Sequence, residues 1–469
     1  MRVIEEVGAG EMRAAADQLK EQGASEDALA RRFAGAHAGQ LYYCHSRGKW
    51  MEFDGVIWRE DRCRRALDLI RRSIREADLG PKFGKAATAF GVEAFAKADP
   101  LLSAHAARWD ADPFLLGTPD APIDLKTGKR LAPDPAFMLT RATSVTPKEG
   151  TPTLWLEFLH EATGGDVELI RFLQQICGYA LTADTREHAL FFFYGPGGNG
   201  KGVFLNTVTR ILGDYAVTAP METFIASRHD RHPTELAALA GARLVTASET
   251  EKGRSWAESR IKQMTGGDPI TARFMLQDNF TFHPHFKLLI IGNHEPVLRN
   301  VDDAMRRRFN IIPFRHKPAR VDRTLEQRLV AEHGRILQWM IEGCLDWQAH
   351  GLVRPTSVTE QTEQYFADQD LMGQFLADRC ELDRTFHEET NRLFAAWEKY
   401  TRAGGDDAGN KKAFVTDLRQ RGFQPGRLNG GVRQRIYRGL RLVASDELPI
   451  GQKNNAGQQP EDWDDAVAI

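Results

Sequence analysis

Apolar positions along this chain fall into two rhythms. From Leu154 they recur every three or four residues: Trp155, Phe158 and Leu159, then Leu169, Phe172, Leu173 and Ile176. That is the period of helices with one apolar face, and Asp166 stands where it can cap the second helix. Next comes Leu190-Phe-Phe-Phe-Tyr194, apolar throughout, as in a strand buried on both faces. Short apolar runs follow at 244–247, 288–291 and 309–314, with helical patterns between or beside them. Strand–helix alternation predicts an α/β fold: a mostly parallel sheet covered by helices.

The flanks read differently. Residues 1–40 are Ala-rich and predict a helical leader. Residues 41–75 alternate aromatic, glycine and polar positions, predicting a short hairpin and then an Arg-rich helix from about Cys63 to Ala77. Residues 110–150, rich in Pro, Asp, Gly and Thr, predict short strands and turns. Helical spacing returns at 325–350, and 371–441 predict three helices and a terminal strand pair. The expected domains are the leader at 1–40, a mixed α/β domain at 41–150, the sheet domain at 151–315, a helical segment at 316–365, a C-terminal module at 370–443 and an acidic, disordered tail at 444–469.

Composition narrows the functional classes. A chain of 469 residues exceeds one compact core. No apolar run approaches the ~20 residues of a membrane-spanning helix, and acidic residues at positions 5 and 6 argue against a secretion signal. Five scattered cysteines without a C-x-x-C pair fit reduced thiols and a cytoplasmic location. The net charge of −2 hides an asymmetry: residues 411–441 hold two Lys and seven Arg against Asp417 alone, whereas 444–469 hold six acids and one Lys. A basic stretch of that density is a candidate nucleic-acid surface.

The strongest chemical motif is Gly195-Pro196-Gly197-Gly198-Asn199-Gly200-Lys201-Gly202. It follows a buried strand and opens a helix predicted from Val203 to Leu212, the setting a phosphate-binding loop needs. Its glycines let backbone N–H groups converge on phosphate oxygens, the helix N-terminus adds positive potential, and Lys201 reaches the β- and γ-phosphates. The position after the lysine normally supplies a hydroxyl to magnesium, and Gly202 cannot. The next strand ends in Glu249 and Glu251. Glu249, directly after the strand, is the first candidate to hold magnesium and polarise water, with Glu251 second. A third strand ends at Asn293, suited to orient the lytic water or sense the γ-phosphate. Arg306-Arg307-Arg308 precede a fourth and could supply an arginine finger from a neighbouring subunit. Lys201 and Asn293 are only 92 residues apart, so the core is short.

This constellation resembles the superfamily 3 helicases of phage and plasmid primase-helicases and of the poxvirus nucleoside triphosphatase. The matching segments are Gly195–Gly202, 244–251, Lys262-Gln-Met-Thr-Gly-Gly-Asp-Pro-Ile-Thr-Ala-Arg273, 288–293 and 302–308. Upstream, 41–188 resemble the family's N-terminal helicase-associated region, with Asp124-Leu-Lys-Thr-Gly128 and Gly178-Tyr-Ala-Leu-Thr182 as recognisable pieces. The resemblance implies a P-loop, AAA+-like motor that binds ATP and magnesium between subunits of a ring, expected to be a hexamer. It implies 3′ to 5′ movement on DNA. Arg306 stands where the family has an aromatic residue, so Arg307 and Arg308 are the better finger candidates. The Asp110-Ala-Asp112 pair sits among Trp and Pro and reads as structural, so a primase would be a separate partner.

Family logic also places a hairpin at 270–286 in the ring channel. Arg273, then Lys262, are the expected phosphate contacts, and Phe274 the expected base-stacking residue. Phe280, Phe282 and Phe286 alternate as core residues do, and His283 and His285 flank a proline as turn residues. Residues 370–443 predict a winged-helix-like module gripping duplex DNA through Lys411, Lys412, Arg433 and Arg435. The expected activity is ATP-dependent DNA unwinding in phage- or plasmid-type replication. The alternatives are an origin-remodelling initiator and a DNA-binding protein whose ATPase is inactive.

Overall fold

The computed structural model describes residues 25–226, 234–248, 254–275, 278–298, 302–318, 320–404, 407–428 and 434–443. The chain divides into two compact units, residues 1–366 and 367–469. Of the expected leader only the segment from Ser25 is described, and the acidic tail from 444 lies outside the described residues.

The first unit opens with helix α1 (Glu26–His37), capped by the Ser25 hydroxyl, which accepts from the Ala28 N–H at 3.2 Å. Strands β1 (Leu41–Cys44) and β2 (Lys49–Phe53) form the expected hairpin, β3 (Trp58–Glu60) extends it, and the Arg-rich helix is α2 (Arg65–Glu76). Helix α3 (Ala86–Ala98) follows, and β4 (Ser103–Ala104) pairs parallel with β1, giving the order β3-β2-β1-β4. One side of this sheet packs Leu41 and Trp50 with Phe33, Ile70 and Val92 of the helices; Met51, Trp58 and Trp109 fill the other. Three two-residue strands, β5 (Leu115–Leu116), β6 (Ile123–Asp124) and β7 (Lys129–Arg130), form an antiparallel meander. The Asp110 carboxylate accepts from the Thr140 N–H at 2.7 Å and from its hydroxyl, and Asp112 from the Phe114 N–H at 2.8 Å, so both acids shape turns.

Helices α4 (Thr153–Thr163) and α5 (Val167–Leu181) match the periodic stretch, and Asp166 caps α5 by accepting from the Leu169 N–H at 2.9 Å. They lead into β8 (Leu190–Tyr194), then α6 (Lys201–Leu212), β9 (Ala216–Thr218), α7 (Thr234–Ala237), β10 (Leu244–Ser248) and α8 (Glu258–Gly266). A hairpin of β11 (Ile270–Ala272) and β12 (Phe280–Phe282) precedes β13 (Lys287–Gly292), α9 (Asp303–Arg306) and β14 (Phe309–Pro313). The central sheet has the order β14-β8-β13-β10-β9, and every pairing is parallel. All of its strands but the edge strand β9 are buried on both faces. Phe191 and Phe193 join one core with Phe204 of α6 and Ile176 of α5. Leu190 and Phe192 join another with Trp256, Ile261 and Met305. Helices α10 (Leu325–Leu329), α11 (His333–His350) and α12 (Thr356–Gln369) follow.

Two buried cations sit at the N-terminal edge of this sheet. Arg243 donates to the carbonyls of Leu181 (2.5 Å) and Leu115 (2.8 Å) and lies 4.4 Å over the Tyr215 ring. Lys287 donates to the Thr182 and Asp184 carbonyls and lies 4.6 Å over Tyr179; complete burial holds its pKa well below the usual lysine range. Carbonyl groups and ring faces replace water around them, as burial of a charge requires.

The second unit contains α13 (Leu371–Arg379), β15 (Cys380–Glu389), α14 (Thr390–Gly404), α15 (Lys411–Gln420), β16 (Gln424–Leu428) and β17 (Gln434–Leu442). The expected strand pair is a three-stranded antiparallel sheet of order β15-β17-β16. The added strand, CELDRTFHEE, escapes hydrophobic pattern recognition because most of its side chains face solvent. Phe375, Leu393, Trp397, Phe414, Leu418 and Tyr437 form the core. Arg421 joins Asp370 (2.5 Å) to Asp417 (2.9 Å).

No helix among the described residues is long and apolar enough to cross a membrane. All five cysteines are free, four of them buried.

Candidate functional site

The Gly195–Gly202 loop leaves the C-terminal end of β8, inside the parallel sheet, where ligands of open α/β sheets bind. Two glycines are demanded by close approach. A Cβ on Gly195 (φ +151°) would sit 1.9 Å from the Phe314 carbonyl oxygen, and one on Gly200 (φ +89°) would sit 2.7 Å from the Phe158 ring. Gly200 is the left-handed cap of α6, which begins at Lys201, two residues before the periodicity indicates. The buried Asn199 amide donates to the Phe314 carbonyl, fastening the loop to the end of β14.

Lys201 is 5% exposed. Its ammonium donates to the carbonyls of Gly195 (2.6 Å) and Pro196 (3.2 Å) and to Asn199 Oδ1 (3.0 Å). Burial lowers its pKa to about 8. A cation held by the loop's own oxygens at a helix N-terminus is a ready anion site. Gly202 has no positive φ and nothing within 4 Å of where a Cβ would stand, so its missing hydroxyl is not enforced by crowding.

Asn293 is exposed and follows Gly292, which pairs with Tyr194, the residue before Gly195. The structure therefore places Asn293 and the loop at adjacent strand ends. Ser248 closes β10, one strand further, in register with Ile291. Glu249 and Glu251, the expected metal and water residues, lie outside the described residues. Beyond the loop on either side, the Arg315 guanidinium donates to Gln361, whose amide donates to Glu295 at 3.4 Å, a chain of contacts the sequence did not signal.

The arginines separate into different roles. Asp302 caps α9, accepting from the Met305 N–H at 2.8 Å, and pairs with the Lys262 ammonium. The expected DNA contact at Lys262 is thus engaged beside the arginines. Arg308 donates to the Thr265 hydroxyl (3.1 Å) and the Ala304 carbonyl (2.6 Å) and is half-buried. Arg306 lies 5.1 Å over the Phe366 ring. Arg307 is exposed, and among the described residues its side chain reaches only the Asp303 carbonyl, at 3.3 Å.

In the hairpin, Ile270 pairs with Phe282 and Ala272 with Phe280, leaving Arg273 and Phe274 at the tip and exposed. The Phe274 ring stacks on Phe280 with centroids 5.5 Å apart, and Phe280 leans on Phe282 at 6.0 Å. Phe286 is buried as expected, but Phe280 and Phe282 are only half-buried, because a two-stranded ribbon has no second layer to cover them. His283 and His285 each approach a backbone carbonyl at 3.3 Å. No cluster of three or more metal-ligating side chains exists among the described residues.

In the second unit, Asn410 caps α15 by accepting from the Ala413 N–H at 2.9 Å. Lys411, Lys412 and Arg419 are exposed on that helix and Arg435 on β17; Arg433 lies outside the described residues.

Comparison with known proteins shows what the two halves of the first unit are similar to. Residues 27–164 match the family described as D5 N terminal like, and 193–308 match a family of unknown function. A protein of Acanthamoeba polyphaga mimivirus named as a helicase is 25% identical over 236 residues, covering 45% of this chain and 24% of its own length. One of Frog virus 3, also named as a helicase, is 25% identical over 260 residues, 50% of this chain and 26% of that protein. The chain thus matches about a quarter of the length of these relatives. Among solved structures, the apo C-terminal region of NrS-1 aligns with a TM-score of 0.50 at 11% identity, covering 85% of this chain and 96% of that one, a likeness of fold. With its D5 N-terminal-like region and its helicase-named viral relatives, the chain is similar to the phage-type superfamily 3 helicase group.

Proposed function

We propose that the chain is an ATP-dependent DNA helicase motor of phage- or plasmid-type replication. The observation that carries the reading is Lys201. Its buried ammonium is poised on the loop oxygens at the end of β8, beside the strand that ends at Asn293. In this reading the sheet is a P-loop, AAA+-like core. The loop amides and Lys201 hold the β- and γ-phosphates of ATP, and Asn293 senses the γ-phosphate. The exposed Arg307 reaches the site of the next subunit in a ring, a hexamer by family analogy, and stabilises transition-state charge.

Magnesium, when bound, would neutralise charge developing on the phosphates. The described loop offers it no side-chain oxygen at 202, so phosphate oxygens, water and Glu249 are the donors we assign, in keeping with magnesium's preference for few protein ligands. Arg273 and Phe274 at the hairpin tip fit a channel contact with single-stranded DNA. The helix–strand–helix–helix–strand–strand order of the second unit, with Lys411, Lys412 and Arg435 outward, fits a winged-helix-like grip on duplex DNA. We place the protein in the cytoplasm, with a separate primase.

A forked duplex with a labelled strand tests the reading. Strand release that needs ATP, and is lost in Lys201→Ala, supports a helicase. ATP-dependent melting of a closed duplex with no release from forks supports an origin-remodelling initiator instead. Absence of turnover would leave a DNA-binding protein with an inactive ATPase.

A further inference from the structure

A second concave site lies far along the sequence from the phosphate loop. It is a groove of about 470 Å³ bounded by the β1–β2–β3 sheet, the start of α2 and one side of α3, a size that suits a small ligand (~300–1,000 Å³). Its apolar surface is aromatic. Trp50, 7% exposed, is the floor; Tyr43 meets it edge-on with centroids 5.2 Å apart; Phe90 stands on α3 with 51% of its surface exposed. Phe90 shares the groove lining with these rings and, left half in water, is an open stacking surface, while the Lys97 ammonium lies 5.0 Å over the Tyr43 ring.

The polar lining has a definite surplus. Glu60 pairs with Lys49 at 3.0 Å. Glu93 pairs with Lys97 at 2.9 Å and accepts from the Trp50 indole at 3.0 Å. The Asp61 carboxylate takes the backbone N–H groups of Cys63, Arg65 and Ala66 at 2.9–3.0 Å, capping α2. Each acid is therefore satisfied from within. Arg62 and Arg64 are exposed and line the groove, and their guanidinium groups have no hydrogen-bond or ion-pair partner among the described residues. Arg64 moreover holds a left-handed backbone (φ +56°). That conformation is unfavourable for a branched-off side chain and is met most often where function demands it.

Unpaired guanidiniums select a phosphate, and aromatic faces select a planar base. From this juxtaposition we propose that the groove binds a nucleotide unit of a single nucleic-acid strand. The base lies against Tyr43 and Phe90 and the phosphate on Arg62 and Arg64. The site would hold a strand outside the motor's own hairpin. The inference concerns binding alone and does not depend on ATP turnover. A free nucleotide shares the same chemistry, so the test has two probes.

The full-length protein is photocrosslinked, without ATP, to a thiothymidine-substituted oligo(dT) and, separately, to thiothymidine triphosphate, and adducts are mapped by mass spectrometry. The expected result is adducts in peptides containing Tyr43, Trp50 or Phe90 with the oligonucleotide. Their yield should fall at least about fivefold in Phe90→Ala and in the double variant Arg62→Ala/Arg64→Gly, whose glycine relieves the strained φ. Adducts at 270–282 should stay constant. Binding of the oligonucleotide by the double variant should also lose about 1.4 from its salt slope, at ~0.7 per phosphate contact on a single strand. Adducts in the groove with the triphosphate alone would reassign the source to free nucleotide and overturn the strand-holding role. No groove adduct with either probe, or adducts indifferent to the double variant, would overturn the site.

Discussion

Nucleotide affinity should depend on pH through one side chain. Burial holds the Lys201 pKa at about 8, whereas an exposed lysine titrates near ~10.4. Phosphates delivered to the loop favour the ammonium and raise that pKa in the complex. Between the two values the free protein lacks a proton that the complex holds, so binding takes one up and weakens as pH rises. With a free pKa of about 8, Lys201 is ~90% charged at pH 7 and ~10% at pH 9, so Kd rises roughly tenfold across that interval. Nucleotide phosphates, with a second pKa near ~6, are already ionised there and contribute little. Isothermal titration calorimetry with a non-hydrolysable ATP analogue, in buffers of different ionisation enthalpy, measures both Kd and proton uptake. At pH 9 the uptake should approach ~0.9 proton per nucleotide. Lys201→Arg, charged throughout, should bind with no such pH dependence. A wild-type Kd that is flat from pH 7 to 9 with no proton uptake would refute the reasoning.

Other consequences follow from contacts at the same site. Arg307→Ala should leave the melting temperature unchanged and lower kcat about 10³-fold, the magnitude of a lost arginine finger. Mixing it with Lys201→Ala subunits should restore part of the activity if the finger acts in trans. Arg308→Ala removes donors to Thr265 and Ala304 and should cost about 1–3 kcal/mol in denaturant unfolding. Gly200→Ala forces a left-handed alanine against the Phe158 ring; about 2–4 kcal/mol should be lost from strain and overpacking, and nucleotide binding with it. Gly202→Ser, with open space at its Cβ, should gain a few tenths of a kcal/mol of helix stability and keep or raise turnover, which steady-state kinetics against magnesium concentration would record.

Much of the central sheet was legible because four of its strands are apolar at nearly every position, a pattern that only a sheet covered on both faces needs. β9 was missed: three residues, Ala216–Thr218, give no period to read. β15 was missed for the opposite reason. Its charged side chains carry no strand signal, and pairing with β17 alone defines it. At the site, the placement of Lys201 and Asn293 at the ends of neighbouring strands was legible, since a Gly-rich turn after a buried strand leaves few geometries. The division of labour among Arg306, Arg307 and Arg308 was not, because it rests on Phe366 and Thr265, which only the fold brings near. Nor were the roles of Arg243 and Lys287, whose partners are backbone carbonyls with no sequence signature. The capping role of Asp302 emerged from the fold, and the same carboxylate explains why Lys262 is engaged.

The central claim is a DNA-responsive ATPase built on Lys201. Magnesium-dependent ATP hydrolysis, measured with and without single-stranded DNA on wild type beside Lys201→Ala, tests it most directly. Turnover that DNA stimulates and that the substitution abolishes is the predicted result. Wild-type protein that hydrolyses no ATP with any divalent metal, or a Lys201→Ala variant as active as wild type, would contradict it.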